Sequence, residues 1–179
     1  MITPHVVILN GPAGVGKSVV GRALAALVPN GACIHGDDLK AFTVTRQEGM
    51  VRGGLAYVNG ATVAANFLNA GYTRVVFEFV FETPTAVGRF LDAFTSTVPV
   101  HLFTLWAPLD ITIAREASRA YRDRIGGSLG DRVTECHRTM AAYLNQLGEI
   151  IENVGQSVEE TAAHIHHRYQ SGNGLLVRS

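Results

Sequence analysis

The apolar run Val6-Val7-Ile8-Leu9 leads into Gly11-Pro12-Ala13-Gly14-Val15-Gly16-Lys17-Ser18, and few local patterns restrict a chain as tightly. A turn of the form G-x-x-x-x-G-K-[ST] works only between a buried strand and a helix. Its successive backbone N–H groups must converge on one anion at the positive end of that helix. Both neighbours are present. Val19, Val20, Ala23, Leu24 and Leu27 recur at helical spacing after Ser18, and Pro29-Asn30-Gly31 ends the helix. The context outweighs a chance glycine turn with a surface lysine. It predicts a nucleoside triphosphate cradled by residues 11 to 18, with Lys17 on the β/γ-phosphates and the Ser18 hydroxyl on Mg²⁺.

The rest of the composition narrows the partners. A chain of 179 residues suits one well-buried domain. Fifteen Lys and Arg balance fifteen Asp and Glu, which removes the charge argument for nucleic acid or membrane surfaces. The expected partner is therefore a small molecule. Met1 passes directly into the first strand pattern with no basic or apolar leader, and no apolar run is long enough to span a bilayer, so a cytoplasmic protein is expected. Cys33 and Cys136 have no metal-site spacing and read as small apolar residues.

Strand-like runs fall at 5 to 9, 32 to 36, 73 to 81, 98 to 106 and 149 to 154, with helical patterns between them. This alternation predicts an α/β fold of three layers, a five-stranded parallel sheet with helices on both faces. The first, third and fourth runs are apolar nearly throughout and should be central. Thr83-Pro84 reads as an N-cap with proline at the first helical position, and Ser157 with Glu160 as a capping box. Val133, Cys136, Met140, Tyr143, Leu144 and Leu147 mark an amphipathic helix over 131 to 147. One domain over residues 1–170, a lid around 115–131 and a loosely held tail over 171–179 complete the expected layout.

Several side chains outside the loop are expected to carry chemistry. Asp37 and Asp38 follow the second strand, and in a parallel sheet ligands sit beyond the carboxyl ends of the strands. One of them is expected to accept the proton of an attacking hydroxyl, Asp38 first and Asp37 second, while the other caps a helix. Glu78 ends the apolar part of the third strand, and a buried carboxylate needs a metal, an arginine or a proton. A Mg²⁺ contact is its expected role, with a paired structural glutamate as the alternative. Arg115, Arg119 and Arg122 share a helical face, with Arg124 beyond and Gly126-Gly127-Ser128-Leu129-Gly130 next. Arg119, Arg122 and Arg124 are thus candidate lid clamps on the transferred phosphate. Arg46 and Arg52 lie where an acceptor would bind, and serve equally well as surface residues. His164-Ile165-His166-His167 reads as a helix end rather than a metal tract.

The loop at the first strand, Gly36-Asp37-Asp38 after the second, Glu78 in the third and the arginine-rich segment after the fourth together resemble the small P-loop kinases. Val7-Ile8-Leu9-Asn10-Gly11, Gly36-x-Asp38, Val75 to Phe81 and Gly130-Asp131-Arg132-Val133 are most similar to the chloramphenicol phosphotransferase-like kinases. The resemblance implies strand order 2-3-1-4-5, a small lid, ATP and Mg²⁺ as cofactors, and Asp38 as proton acceptor. It also implies transfer of a γ-phosphoryl group to a hydroxyl of an antibiotic or sugar-like molecule. Phe79 stands where that family has a second acid, and residues 39 to 60 do not match its acceptor pocket. A mononucleotide kinase, or a nucleotide-binding regulatory module without an acceptor, are the other readings. The module is opposed by the lack of an Asn-Lys-x-Asp element and of a D-x-x-G switch after the third strand.

Overall fold

The computed structural model describes residues 3–44, 54–118 and 130–176. Five parallel strands, β1 (His5–Asn10), β2 (Gly31–His35), β3 (Arg74–Glu78), β4 (Val100–Trp106) and β5 (Glu149–Glu152), lie in the order β2-β3-β1-β4-β5. The three apolar runs β3, β1 and β4 occupy the centre, because only strands covered on both faces can afford side chains that are apolar in both directions. Among the described residues the helices are α1 (Lys17–Ala26), α2 (Gly36–Ala41), α3 (Gly54–Asn69), α4 (Pro84–Ala93), α5 (Leu109–Ala117), α6 (Asp131–Ala142) and α7 (Val158–Gln170).

Strand alternation divides the core in two. Val6, Ile8, Val75, Phe77, Val100 and Leu102 point to one face and pack with Ala61 and Ala64 of α3, Phe90 of α4 and Met140 of α6. Val7, Leu9, Val76, Phe103 and Leu105 point to the other, against Leu24 of α1 and Ala162 and Ile165 of α7. The helix ends follow local chemistry. Thr83 Oγ1 accepts from the Ala86 N–H with Pro84 at the first position of α4, and Ser157 and Glu160 cap α7 reciprocally.

Three expectations are corrected. The third strand stops at Glu78 rather than 81, because β1 leaves the sheet at Asn10. The Asn10 side chain then substitutes for a strand, accepting from the Phe81 N–H at 2.7 Å and donating to the Phe81 carbonyl at 3.0 Å. The helix over 131 to 147 ends at Ala142 and passes into a 3-10 turn at Leu144–Gln146. The tail is held at least as far as Leu176: Leu102 N–H donates to Gly174 O and Leu176 N–H to Val100 O, both at 2.8 Å, so the chain runs antiparallel along β4 where β5 does not reach.

At the amino ends of the strands sits a polar cluster that the sequence reading did not single out. Arg74 is fully buried. Its guanidinium donates to His5 Nε2 at 3.0 Å and Leu24 O at 2.8 Å, reaches His166 Nδ1 at 2.7 Å, and lies over the Tyr169 ring. His5 stacks on Tyr169, and His101 meets both rings edge-on. Desolvation lowers the affinity of His5, His101 and His166 for a proton, and the Arg74 charge adds to this at His5 and His166.

Candidate active site

The loop between β1 and α1 has the backbone that its glycines suggest. Gly14 lies at φ +83°, and a Cβ there would meet the Thr112 carbonyl oxygen at 2.2 Å, so only glycine lets the loop curl against α5. Lys17, buried although cationic, folds back over the loop and donates from Nζ to Gly11 O at 2.8 Å and Pro12 O at 3.0 Å. A desolvated ammonium over a glycine-rich turn at the start of a ten-residue helix fits a polyphosphate. These residues therefore suit the group that the motif predicts.

Asn153, just past β5, holds the loop from behind. Its Nδ2 donates to Val15 O at 2.6 Å while its Oδ1 accepts from Thr161 Oγ1 at 3.0 Å, tying the loop to α7. Arg115 Nη1 donates to the Asn153 carbonyl at 3.0 Å. Together with Gly14, Gly16, Val19 and Val158 they line a cleft of about 290 Å³. Asn153 carries no local signal of this role, since its partner is 138 residues away. Asn153→Ala is expected to lower stability by about 1–3 kcal/mol, because the Val15 carbonyl loses a buried donor. Nucleotide affinity should fall with it. Urea unfolding and a nucleotide titration of the same variant check both.

On the other side of the loop, His35 links three elements. Its Nε2 lies 3.3 Å from Ser18 Oγ at the start of α1, and its Nδ1 forms an ion pair with Glu78 at the end of β3. Strand order explains this: β3 lies between β2 and β1, and His35 is in register with Glu78. The hydrogen bond to Glu78 raises the imidazole's affinity for a proton, more than burial lowers it. Glu78, expected on Mg²⁺, is nearly fully buried and faces a histidine, which supplies the charge partner that its burial demands. Among the described residues no cluster of three or more His, Cys, Asp or Glu could hold a metal ion. Ser18 Oγ, which the motif predicts to meet Mg²⁺, lies at the start of α1 beside His35.

Asp37 and Asp38 occupy the first turn of α2 rather than a loop, with His35 as N-cap residue. Neither aspartate is the cap. Both are exposed, and Asp37 pairs loosely with Lys40 at 3.8 Å. Their position next to the site depends on Gly36, where a Cβ would meet the Phe79 ring at 2.3 Å. Arg132, in the first turn of α6, makes ion pairs with Glu82 and Glu135. His137 Nε2 lies 3.0 Å from the Ala107 carbonyl oxygen, and its ring packs on Trp106, as a packing residue should. Arg46, Arg52, Arg119, Arg122 and Arg124, and with them most of the expected lid, lie outside the described residues. Among the described residues no helix is long and apolar enough to cross a membrane.

No family model matches the sequence, and no curated protein sequence matches it. Solved structures do. The tunicamycin resistance protein of Deinococcus radiodurans superposes with a TM-score of 0.68 at 17% identity, over 98% of this chain and 99% of that one. Shikimate kinase from Acinetobacter baumannii, solved with shikimate, gives 0.61 at 18% identity over 95% and 94%. A sugar kinase from Janibacter gives 0.62 at 15% identity over 94% and 95%. At such identities the likeness speaks for the fold alone. The chain has the three-layer P-loop kinase-like fold, with strand order 2-3-1-4-5, that these proteins share.

Proposed function

We propose that the chain is a small-molecule kinase that moves the γ-phosphoryl group of ATP to a hydroxyl of its acceptor. The observation that carries this reading is the His35 contact with Ser18, which sets the first turn of α2, with its two carboxylates, beside the phosphate loop. Donor and acceptor halves then face one another beyond the carboxyl ends of the strands. The loop N–H groups and Lys17 hold the β- and γ-phosphates, and the cleft by Asn153 and Arg115 receives the rest of the nucleotide. Mg²⁺, when bound at Ser18, neutralises charge on the β/γ oxygens.

Asp38 takes the proton of the acceptor hydroxyl as the oxygen–phosphorus bond forms and the bond to the β-phosphate breaks, leaving ADP. Asp37 is the second candidate for this role. Arg119, Arg122 and Arg124 are proposed to close over the transferred group, and Arg46 and Arg52 to meet the acceptor. Most of the acceleration would come from positioning and charge, since a loose phosphoryl-transfer transition state asks little covalent chemistry of the protein.

The kinases of like fold act on a range of hydroxylated molecules by their names, shikimate and gluconate among them, so the acceptor class is kept as hydroxylated antibiotics, sugars and related acids. The test is a thermal-shift screen of such compounds and of nucleoside monophosphates with a non-hydrolysable ATP analogue, followed by ADP release with ATP. One or more hydroxylated compounds should stabilise the ternary complex and stimulate ADP release. Stimulation by a monophosphate alone would favour a mononucleotide kinase, and slow hydrolysis that no compound stimulates would favour a regulatory module.

A further inference from the structure

We infer that His35 is a positioning residue for the cation site, fixing the Ser18 hydroxyl through Nε2 while Glu78 fixes the ring through Nδ1. The inference rests on the reading of the loop as a Mg·nucleotide site. A serine hydroxyl is a rotor with one proton and two lone pairs, and only the lone pairs can meet a cation. Left free beside polyphosphate, the hydroxyl donates its proton to a phosphate oxygen as readily as it presents its oxygen. In this structure Nε2 lies 3.3 Å from Ser18 Oγ. A carboxylate only accepts, so Glu78 takes the Nδ1 proton and sets the plane of the ring, which keeps Nε2 beside Ser18 Oγ. Held against Nε2, Oγ keeps a lone pair for the cation.

The arrangement is built rather than incidental. Glu78 is buried in a central strand between phenylalanines, a costly place for a carboxylate, and the histidine that compensates it is the same one that touches the loop serine. Gly21 of α1 lies close over the strand here: a Cβ there would stand 3.2 Å from Cys33 Sγ and 3.6 Å from Glu78 Cβ, so the stem of Glu78 is closely packed. Outer groups of this kind around metal ligands typically change metal affinity by about 10–100-fold when removed.

Two substitutions separate positioning from mere structural support. Asparagine places its amide near the Nδ1 position, where it still serves Glu78 and falls short of Ser18. Glutamine places its amide near the Nε2 position, where it reaches Ser18 and leaves Glu78 poorly served. Calorimetry of His35→Asn, His35→Gln and the parent with a non-hydrolysable ATP analogue, in EDTA and then in Mg²⁺, reads the gain in affinity that the metal confers. The parent should show a clear gain, His35→Asn should lose about tenfold of it with metal-free affinity unchanged, and His35→Gln should keep most of it. Thermal midpoints should rank the other way, with asparagine the more stable. An undiminished metal gain in His35→Asn overturns the inference, as does a gain that merely follows the stability ranking. A parent that binds no nucleotide in either buffer overturns the proposed function instead. Should either variant not fold, Glu78→Gln, which frees the ring to turn, must still reduce the metal gain or the inference fails.

Discussion

Asp38→Asn is expected to lower phosphoryl transfer by about 10²–10⁴-fold while metal-free and Mg·nucleotide affinities stay within about twofold. The asymmetry follows from where the residue sits. Asp38 lies in the first turn of α2, exposed and outside the buried contacts of the core, so its amide analogue should disturb neither the fold nor the loop. Only the step in which the acceptor hydroxyl gives up its proton needs the carboxylate. Asp37→Asn is the matched control: its described partner is Lys40 at 3.8 Å, an exposed pair of the kind worth about 0–1 kcal/mol. Single-turnover transfer to the acceptor, with nucleotide affinity by calorimetry, checks the pair. If Asp37→Asn carries the large loss instead, the proton acceptor is Asp37.

The second large effect concerns stability and pH. Burial, aided by the charge of Arg74, pushes His5 down to about 4, while an unfolded histidine titrates near 6.5. The fold therefore favours neutral His5. Its contribution is fully present above the unfolded value, is lost as pH falls from about 6.5 to about 4, and changes no further below that. The loss amounts to about 2 kcal/mol at pH 5 and about 3 kcal/mol once the transition is complete. His101 and His166 are depressed as well and add to it in the same direction. The geometry agrees: His5 Nδ1 sits 2.9 Å from Thr3 O while Nε2 accepts from Arg74, so a second ring proton has to displace the guanidinium. Urea unfolding at about pH 7.5 and about pH 5 checks this against His5→Gln, which keeps an acceptor and does not titrate. The parent should lose clearly more stability than the variant on acidification; equal losses would remove His5 from the account.

What the sequence made legible and what it hid divide along physical lines. Val6 to Leu9, Val75 to Phe77 and Val100 to Trp106 are apolar on both sides because both faces of the sheet are covered, so the central strands and the phosphate loop could be located from local pattern alone. The caps at Thr83 and Ser157 are equally local. The partner of Glu78 was not. A buried acid in a strand announces a need for compensation and not who meets it, and His35 answers through strand register 43 residues away. Arg74 falls inside the expected strand run 73 to 81 with no local mark of its role, yet it is enclosed by rings contributed from β1 and α7. Side chains that work across the sheet leave no periodic trace.

The antiparallel stretch beside β4 bears on how the molecule behaves in company. Strand β5 pairs β4 only from Phe103 to Trp106, so the lower half of β4 would otherwise be an open flank of the sheet. Gly174 and Leu176 occupy the Leu102 N–H and the Val100 carbonyl that a neighbouring molecule's strand would seek. Protection of this kind is how native sheets avoid adding strands from other chains. A chain shortened to end at Asn173 should retain the loop and the His35 pair and lose this guard, self-associating at concentrations where the parent is dispersed. Light scattering with nucleotide binding as the control would measure it. The stretch from Gly174 to Leu176 would then act less as an appendage than as a device for keeping copies apart.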